Sequence, residues 1–146
     1  MAAVLPDMSA IDAAVIAKLD GDSILSALVP SGVFWDLAPQ GTTLYVSVSL
    51  AEFVNEGVLG GADGIDRVGY TVKVVSRTTG GTTVRDAAAR IHDLLHLQSL
   101  DLDPSTGYEQ MICKRVQRIR HTEPDAADPA AHWQHRGGVY DVMVSL

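Results

Sequence analysis

The sequence predicts an α+β fold in which an antiparallel sheet of about four strands carries two main helices on one face. Apolar residues recur at helical spacing in two segments and at alternate positions in several others. The predicted order is helix, strand, strand, helix, strand, strand, and such a chain packs its helices against one face of an antiparallel sheet. With 146 residues we expect a single domain, residues 1–146, with a long β-hairpin loop between the first two main strands.

The N-terminal part of the chain is predicted to be helical. Ser9 is a plausible N-cap, Asp12 lies in the first turn, where the helix dipole favours an acid, and Gly21 ends the helix. A second short turn, Ile24 to Leu28, is predicted to stop at Pro30. The apolar positions of the first helix are Ile11, Val15, Ile16 and Leu19.

A hairpin is predicted next. Val33 to Asp36 is a candidate short strand, and Leu44 to Phe53 alternates as a half-buried strand does. Asn55 to Asp66 contains four glycines and no periodicity, which predicts a long loop. The residues predicted to face inward on the strand are Leu44, Val46, Val48 and Leu50. Apolar residues of the loop, which either contact a partner or fold back onto the domain, are Val58, Leu59 and Ile65.

The second strand of the hairpin and the second main helix follow. Arg67 to Arg77 is the strand; Thr82 or Thr83 is expected to cap a helix that has Asp86 in its first turn and ends near Leu97. The strand residues predicted to face inward are Val68, Tyr70, Val72 and Val74. The apolar stripe of the helix is Val84, Ala87, Ala88, Ile91, Leu94 and Leu95.

A basic strand, a loop and a final strand complete the prediction. They span Tyr108 to His121, Asp125 to Ala131 and Val139 to Leu146. Alternation places three bases of the first strand on one face and Arg115 on the other. Those three are Lys114, Arg118 and Arg120. They could meet an acidic surface of a neighbouring subunit, meet nucleic acid, or simply face solvent.

Charge is distributed unevenly along the chain. The formal net charge is −7, which argues against a general nucleic-acid binder. Up to Asp66 there are nine acidic residues and one base, Lys18, whereas the remainder holds nine acids and ten bases. This polarity could orient subunits that meet head to tail, or it could be a solvated acidic surface.

Motifs for chemistry are few. No phosphate-binding loop and no nucleophile elbow are present. In the segment HDLLH, His92 and His96 share one helix face and could hold zinc for a hydrolase, although Asp93 stands where such enzymes use Glu. A second group, His132 to His135 with His121 nearby, could also bind metal. We expect neither site: the prediction is a non-enzymatic protein without catalytic, cofactor-binding or metal-binding residues.

Targeting signals are also not apparent. The N-terminus has no basic segment followed by an apolar run, and no apolar stretch reaches the roughly 20 residues that a membrane span needs. Cys113 is the single cysteine, so no internal disulfide can form. We expect synthesis in the cytoplasm and no membrane partner.

One phrase resembles a known family. The segment VFWDLAPQGTTLYVSVSL, Val33 to Leu50, resembles a phrase of the tail-terminator (tail-completion) proteins of long-tailed bacteriophages, in which Asp, Ala-Pro-Gln-Gly and Pro-Tyr-Val run into a strand. Leu44 replaces the usual Pro. The matching residues are Asp36, Ala38, Pro39, Gln40, Gly41, Tyr45 and Val46. Downstream segments DRVGYTVKVVSRTTGGTTVRDAAARIHDLL, VQRIRHTEPD and HRGGVYDVMVSL follow the family's order of elements.

The resemblance implies a structural virion protein. Such proteins form a ring, usually a hexamer, at the head-proximal end of the tail tube, ending tube growth and presenting a surface to the head-neck connector. The expected partners are the chain itself, the tail tube protein and the connector, with DNA passing through the ring without specific binding. A head-completion or neck protein is the alternative. Candidate contact residues are Val58, Leu59, Ile65, Lys114, Arg118, Arg120 and Trp133.

Overall fold

The computed structural model describes residues 9–57, 63–77, 81–102 and 109–145, which hold three helices and five strands. The elements are α1 (Ser9–Asp20), α2 (Ser23–Leu28), β1 (Val33–Trp35), β2 (Leu44–Gly57), β3 (Asp63–Arg77), α3 (Thr82–Leu95), β4 (Glu109–Pro124) and β5 (His132–Ser145). The α+β class and the predicted order of the main elements are confirmed. No helix among the described residues is long and apolar enough to cross a membrane.

Within the described residues the sheet is mixed and has five strands in the order β1-β2-β3-β5-β4. This corrects the prediction of about four antiparallel strands, because β1 adds a fifth strand that runs parallel to β2. Residues 36–43 carry the chain back to the start of β2, and Asp36 and Gly41 in that stretch have positive φ angles of 62° and 90°. Such angles reverse an extended chain sharply.

The β2–β3 hairpin is longer than predicted. Asn55 pairs with Asp66, and Glu56 pairs with Ile65, so both ends of the predicted loop belong to strands. The sequence did not predict this pairing, because the paired residues include polar residues and glycine and show no apolar alternation. Backbone hydrogen bonds hold a hairpin together whatever its side chains are. Val58 and Leu59 lie outside the described residues.

The core lies between the helices and one face of the sheet, called here the helix-bearing face. The four inward residues predicted for β3 are all buried there, as is the predicted apolar stripe of α3, with two of its members at the margin of the core. Tyr70 also donates a 2.5 Å hydrogen bond to Asp12 of α1, which ties that helix to the centre of the sheet. Leu50 is a correction: it pairs in register with buried Tyr70, on the same face, but 46% of it is exposed, so the described helices leave this part of the face uncovered.

Helix ends differ in detail from the predictions. Gly81 is the N-cap of α3 and gives no side-chain cap, so neither threonine caps the helix and Asp86 lies beyond its first turn. The helix ends at Leu95 rather than near Leu97, and Leu97 has a positive φ of 58°.

The β4–β5 hairpin also extends past the predicted bounds. β4 continues to Pro124 and β5 begins at His132, seven residues before the predicted Val139. The predicted loop from Asp125 to Ala131 is confirmed. A backbone hydrogen bond of 3.0 Å from Asp125 N to Ala131 O closes that loop.

Candidate functional site

A β-bulge decides where the basic side chains of β4 point. The register with β5 shifts between Arg115 and Gln117, which adds one residue, Val116, to β4. One extra residue reverses the alternation of faces. Arg115 therefore shares the helix-bearing face with Arg118 and Arg120, and Lys114 takes the opposite face; the alternation predicted from sequence was wrong on this point.

The arginines of that face line a groove of about 420 Å³ between α3 and the β4–β5 hairpin. Gly138 is the register partner of Arg118, so no side chain of β5 fills the groove at that point. Arg85 of α3 and Arg136 of β5 contribute further guanidinium groups. The lining residues are Arg85, Ala88, Ala89, His92, Asp93, Arg115, Arg118, Ile119, Arg120, Arg136 and Gly137.

The charge of this groove is poorly compensated within the described part of the chain. Arg118, Arg120 and Arg136 form no ion pair with a described acidic residue, and Asp93 is the one acid among the lining residues. Burial lowers the pKa of His92, and the nearby Arg115 lowers it further. The groove is thus a local concentration of positive charge on a chain of net charge −7.

The HDLLH segment is not arranged as a metal site. The rings of His92 and His96 stack with centroids 4.5 Å apart, and Nδ1 of His96 accepts a 3.1 Å hydrogen bond from the backbone N–H of Arg115. His92 Nδ1 lies 3.3 Å from the hydroxyl of Tyr140. Both histidines thus tie α3 to the sheet, and no third ligand joins them among the described residues.

The thiol of Cys113 is not a nucleophile. It is buried in the core, and burial raises the pKa of its thiol to about 12. The reactive form of a cysteine is the thiolate, so this side chain is inert at neutral pH.

The acidic half of the chain places two exposed carboxylates near the other edge of the sheet. Asp20 ends α1, and Asp36 follows β1; neither pairs with a described base. Trp35 is partly exposed and Leu37 is 85% exposed beside Asp36. The β1 edge is therefore acidic and apolar, whereas the β4 edge is cationic.

The other candidate contact residues in the described part of the chain, Ile65, Lys114 and Trp133, lie apart from the groove. Ile65 is half-buried in β3, and Lys114 pairs in register with Asp141 on the opposite face. Trp133 is half-buried, and its indole N–H donates a 3.2 Å hydrogen bond to Asp125, so it anchors the loop. Arg136 and Arg85 were missed as groove residues, since only the β4–β5 pairing and the packing of α3 bring them to Arg118.

Fold and groove together define an α+β protein with a cationic groove at one edge of its sheet. Residues 13–121 match the family model described as tail completion protein gp17. The match covers well over half of the chain, and the chain therefore belongs to the gp17 family of tail completion proteins, structural components of phage-like tails. The resemblance inferred from sequence is thereby confirmed.

A solved structure agrees with the fold. A chain in the virion of a native gene transfer agent particle superposes with a TM-score of 0.73 at 23% identity, covering 94% of this chain and 96% of that one. At this identity the similarity establishes the fold alone. No curated protein has a significant sequence match to the chain.

Proposed function

We propose that this protein forms a homo-oligomeric ring, a hexamer, at the head-proximal end of a phage-like tail tube. The ring ends polymerisation of the tube and presents a joining surface to the head-neck connector. Membership of the tail completion family supports the proposal, and the observation that carries it is the opposite charge of the two sheet edges.

A ring requires two different patches on each subunit, because every subunit meets one neighbour with each side. β1 and β4 are the two edge strands of the sheet. Asp20 and Asp36 lie at the β1 edge, and Arg118 and Arg120 lie at the β4 edge. Repeating the contact of one edge with the other around an axis gives a ring when the rotation between neighbours closes on itself.

Apolar side chains accompany the charges at both edges. Leu37 and Trp35 are exposed beside Asp36, and Val116 in the bulge of β4 is half exposed. Contact of these apolar groups would supply binding energy, while the surrounding charges set orientation and speed of association. The His96–Leu97 segment already covers β4 at Cys113 and Arg115, so the free part of that edge begins at the bulge.

The far end of the β2–β3 hairpin is the proposed contact with the tail tube. Leu50 and Phe53 of β2 are both more than 40% exposed. They extend the apolar set proposed from sequence, which comprises Val58, Leu59 and Ile65. Exposed apolar side chains such as those of Leu50 and Phe53 are typical of a contact that forms on assembly.

DNA passes through the proposed ring without specific binding. Six copies would carry a formal charge of about 6 × (−7) = −42, which repels phosphate. The arginine groove would be covered by the neighbouring subunit and thus be withdrawn from DNA.

Charge reversal at each edge tests the proposal. We expect Arg118→Glu with Arg120→Glu to abolish rings, and Asp20→Lys with Asp36→Asn to do the same, as measured by size-exclusion chromatography with light scattering. An equimolar mixture of the two variants should recover rings, because alternating subunits present unlike charges at every contact. Asn tolerates the positive φ of Asp36, so that substitution keeps the turn.

Lys114→Glu is the matched control, since Lys114 is exposed on the same strand but faces away from the groove. It should leave assembly unchanged. Rings formed by either reversed variant alone would contradict the edge-to-edge contact. Assembled wild-type rings should also bind the ends of purified tail tubes; rings that bind only head connectors would place the protein in the neck instead.

A further inference from the structure

Two histidines and a glutamate come together on the sheet face opposite the helices. His121 of β4 is the direct register partner of His135 of β5, and Glu123 lies two residues after His121 on the same face. One potential ligand atom from each of the three side chains lies within 4.8 Å of the other two. The sequence placed His121 at the end of a predicted strand and His135 outside the predicted strands, whereas the long β4–β5 hairpin holds both on paired strands.

The side chains are already ordered with respect to one another. The two imidazole rings stack with centroids 4.2 Å apart and planes 10° apart, so their edges lie side by side. His135 Nε2 lies 2.8 Å from Glu123 Oε1. His135 Nδ1 is buried and has no hydrogen-bond partner in the described part of the chain, so the ring is held through the edge that faces Glu123.

We propose that His121, Glu123 and His135 bind one divalent transition metal ion, with Zn²⁺ as an ion that this donor set accommodates. Two imidazole nitrogens and one carboxylate oxygen are the ligands of a well-known class of zinc site, which keeps a fourth position for water. His121 and Glu123 are exposed, so water reaches that position.

Binding requires the two imidazoles to leave their parallel stack, because nitrogen lone pairs in parallel ring planes cannot both point at one ion. Ligand atoms of a tetrahedral zinc ion lie roughly 3.3 Å apart, given bonds of about 2.0–2.1 Å. The widest separation in the group, at most 4.8 Å, must close by roughly 1.5 Å, which rotation of exposed side chains supplies. The ion replaces the proton between His135 and Glu123, whose separation opens by about 0.5 Å.

A bound metal ion would crosslink β4 and β5 beside the 125–131 loop. This crosslink does not depend on the proposed ring, because all three ligands belong to one chain and lie on the face opposite the arginine groove. Its failure and the failure of ring assembly are therefore separate results.

Calorimetric titration of Zn²⁺ into the chelator-treated full chain tests the site. We expect one ion per chain, a higher melting temperature with Zn²⁺, and affinity at least about tenfold weaker in His121→Gln and in Glu123→Gln. Both residues are exposed, so the variants should fold, as circular dichroism would verify. His132→Gln is the matched control, because His132 is exposed on the same hairpin but outside the group.

Two results would overturn the proposal. One is the absence of saturable Zn²⁺ binding to the wild-type chain. The other is unchanged binding in His121→Gln together with loss of binding in His92→Gln, which would move the metal to the HDLLH helix.

Discussion

Gly137 of β5 pairs with Lys73 and lies close to the backbone of β3. A Cβ atom at this position would stand 2.0 Å from the carbonyl oxygen of Val72 and 2.6 Å from the Cα of Lys73. Backbone atoms cannot move aside without separating the strands. We expect Gly137→Ala to lower the free energy of unfolding by about 3 kcal/mol, measured by urea denaturation.

Gly41 provides the comparison for that substitution. It has a positive φ of 90° but no atom within 4 Å of an added Cβ, so Gly41→Ala carries only the conformational cost, about 1 kcal/mol. Equal losses in the two variants would show that close approach of β5 to β3 is not what selects glycine at 137.

The side chain of Asp22 connects two helices, α2 and α3. Its carboxylate accepts a 2.8 Å hydrogen bond from the N–H of Leu25, which caps α2, and receives two bonds of 2.9 and 2.7 Å from Arg90 of α3. The hydrogen bond from Arg90 is the main cause that lowers the pKa of Asp22 to about 2. Sequence alone could not identify this pair, since the partners are far apart in the chain.

The depressed pKa makes a pH prediction with a definite sign. An acid with a lower pKa in the folded state stabilises the protein above its unfolded pKa, about 3.9, and loses that contribution as the pH falls through about 2. We expect Asp22→Asn, which keeps the cap, to be about 2 kcal/mol less stable than wild type at pH 6. The gap should shrink steadily between pH 4 and pH 2 in denaturant titrations; a gap independent of pH would rule out the ion pair as its source.

Elements with a regular apolar period were the ones that sequence predicted well. The apolar stripe of α3 predicted the length of the helix to within two residues and identified its buried face, because burial enforces the 3.6-residue period. The sequence placed Arg118 on the wrong face relative to Arg115. The extra residue of the bulge at Val116 cannot be recognised from the pattern of an exposed polar strand. The ends of β4 and β5 were missed for a related reason: backbone pairing there holds residues whose side chains carry no pattern.

In the whole molecule, the strand order of the sheet determines where the charged surfaces lie. β2 and β3 form a hairpin, but β5 inserts between β3 and β4, so the basic strand becomes an edge. No local pattern reveals which strand ends at the edge, because that order depends on long-range pairing. The cationic groove and the acidic β1 edge are thus properties of the topology, built from charges that the sequence already displayed.

The final prediction concerns ionic strength, which has two opposing effects on the stability of the ring. Salt screens the attraction between unlike edges, which weakens a ring, and it screens repulsion between subunits of charge −7, which strengthens one. At 0.1 M salt the Debye length is about 10 Å, so repulsion between whole subunits is already largely screened, whereas pairs in contact are not. From 0.1 to 0.5 M salt we therefore expect rings to dissociate, as sedimentation velocity would detect, and Lys114→Glu to follow the same curve. Rings that tighten over this range would indicate an apolar contact in which Arg118 and Arg120 play no part.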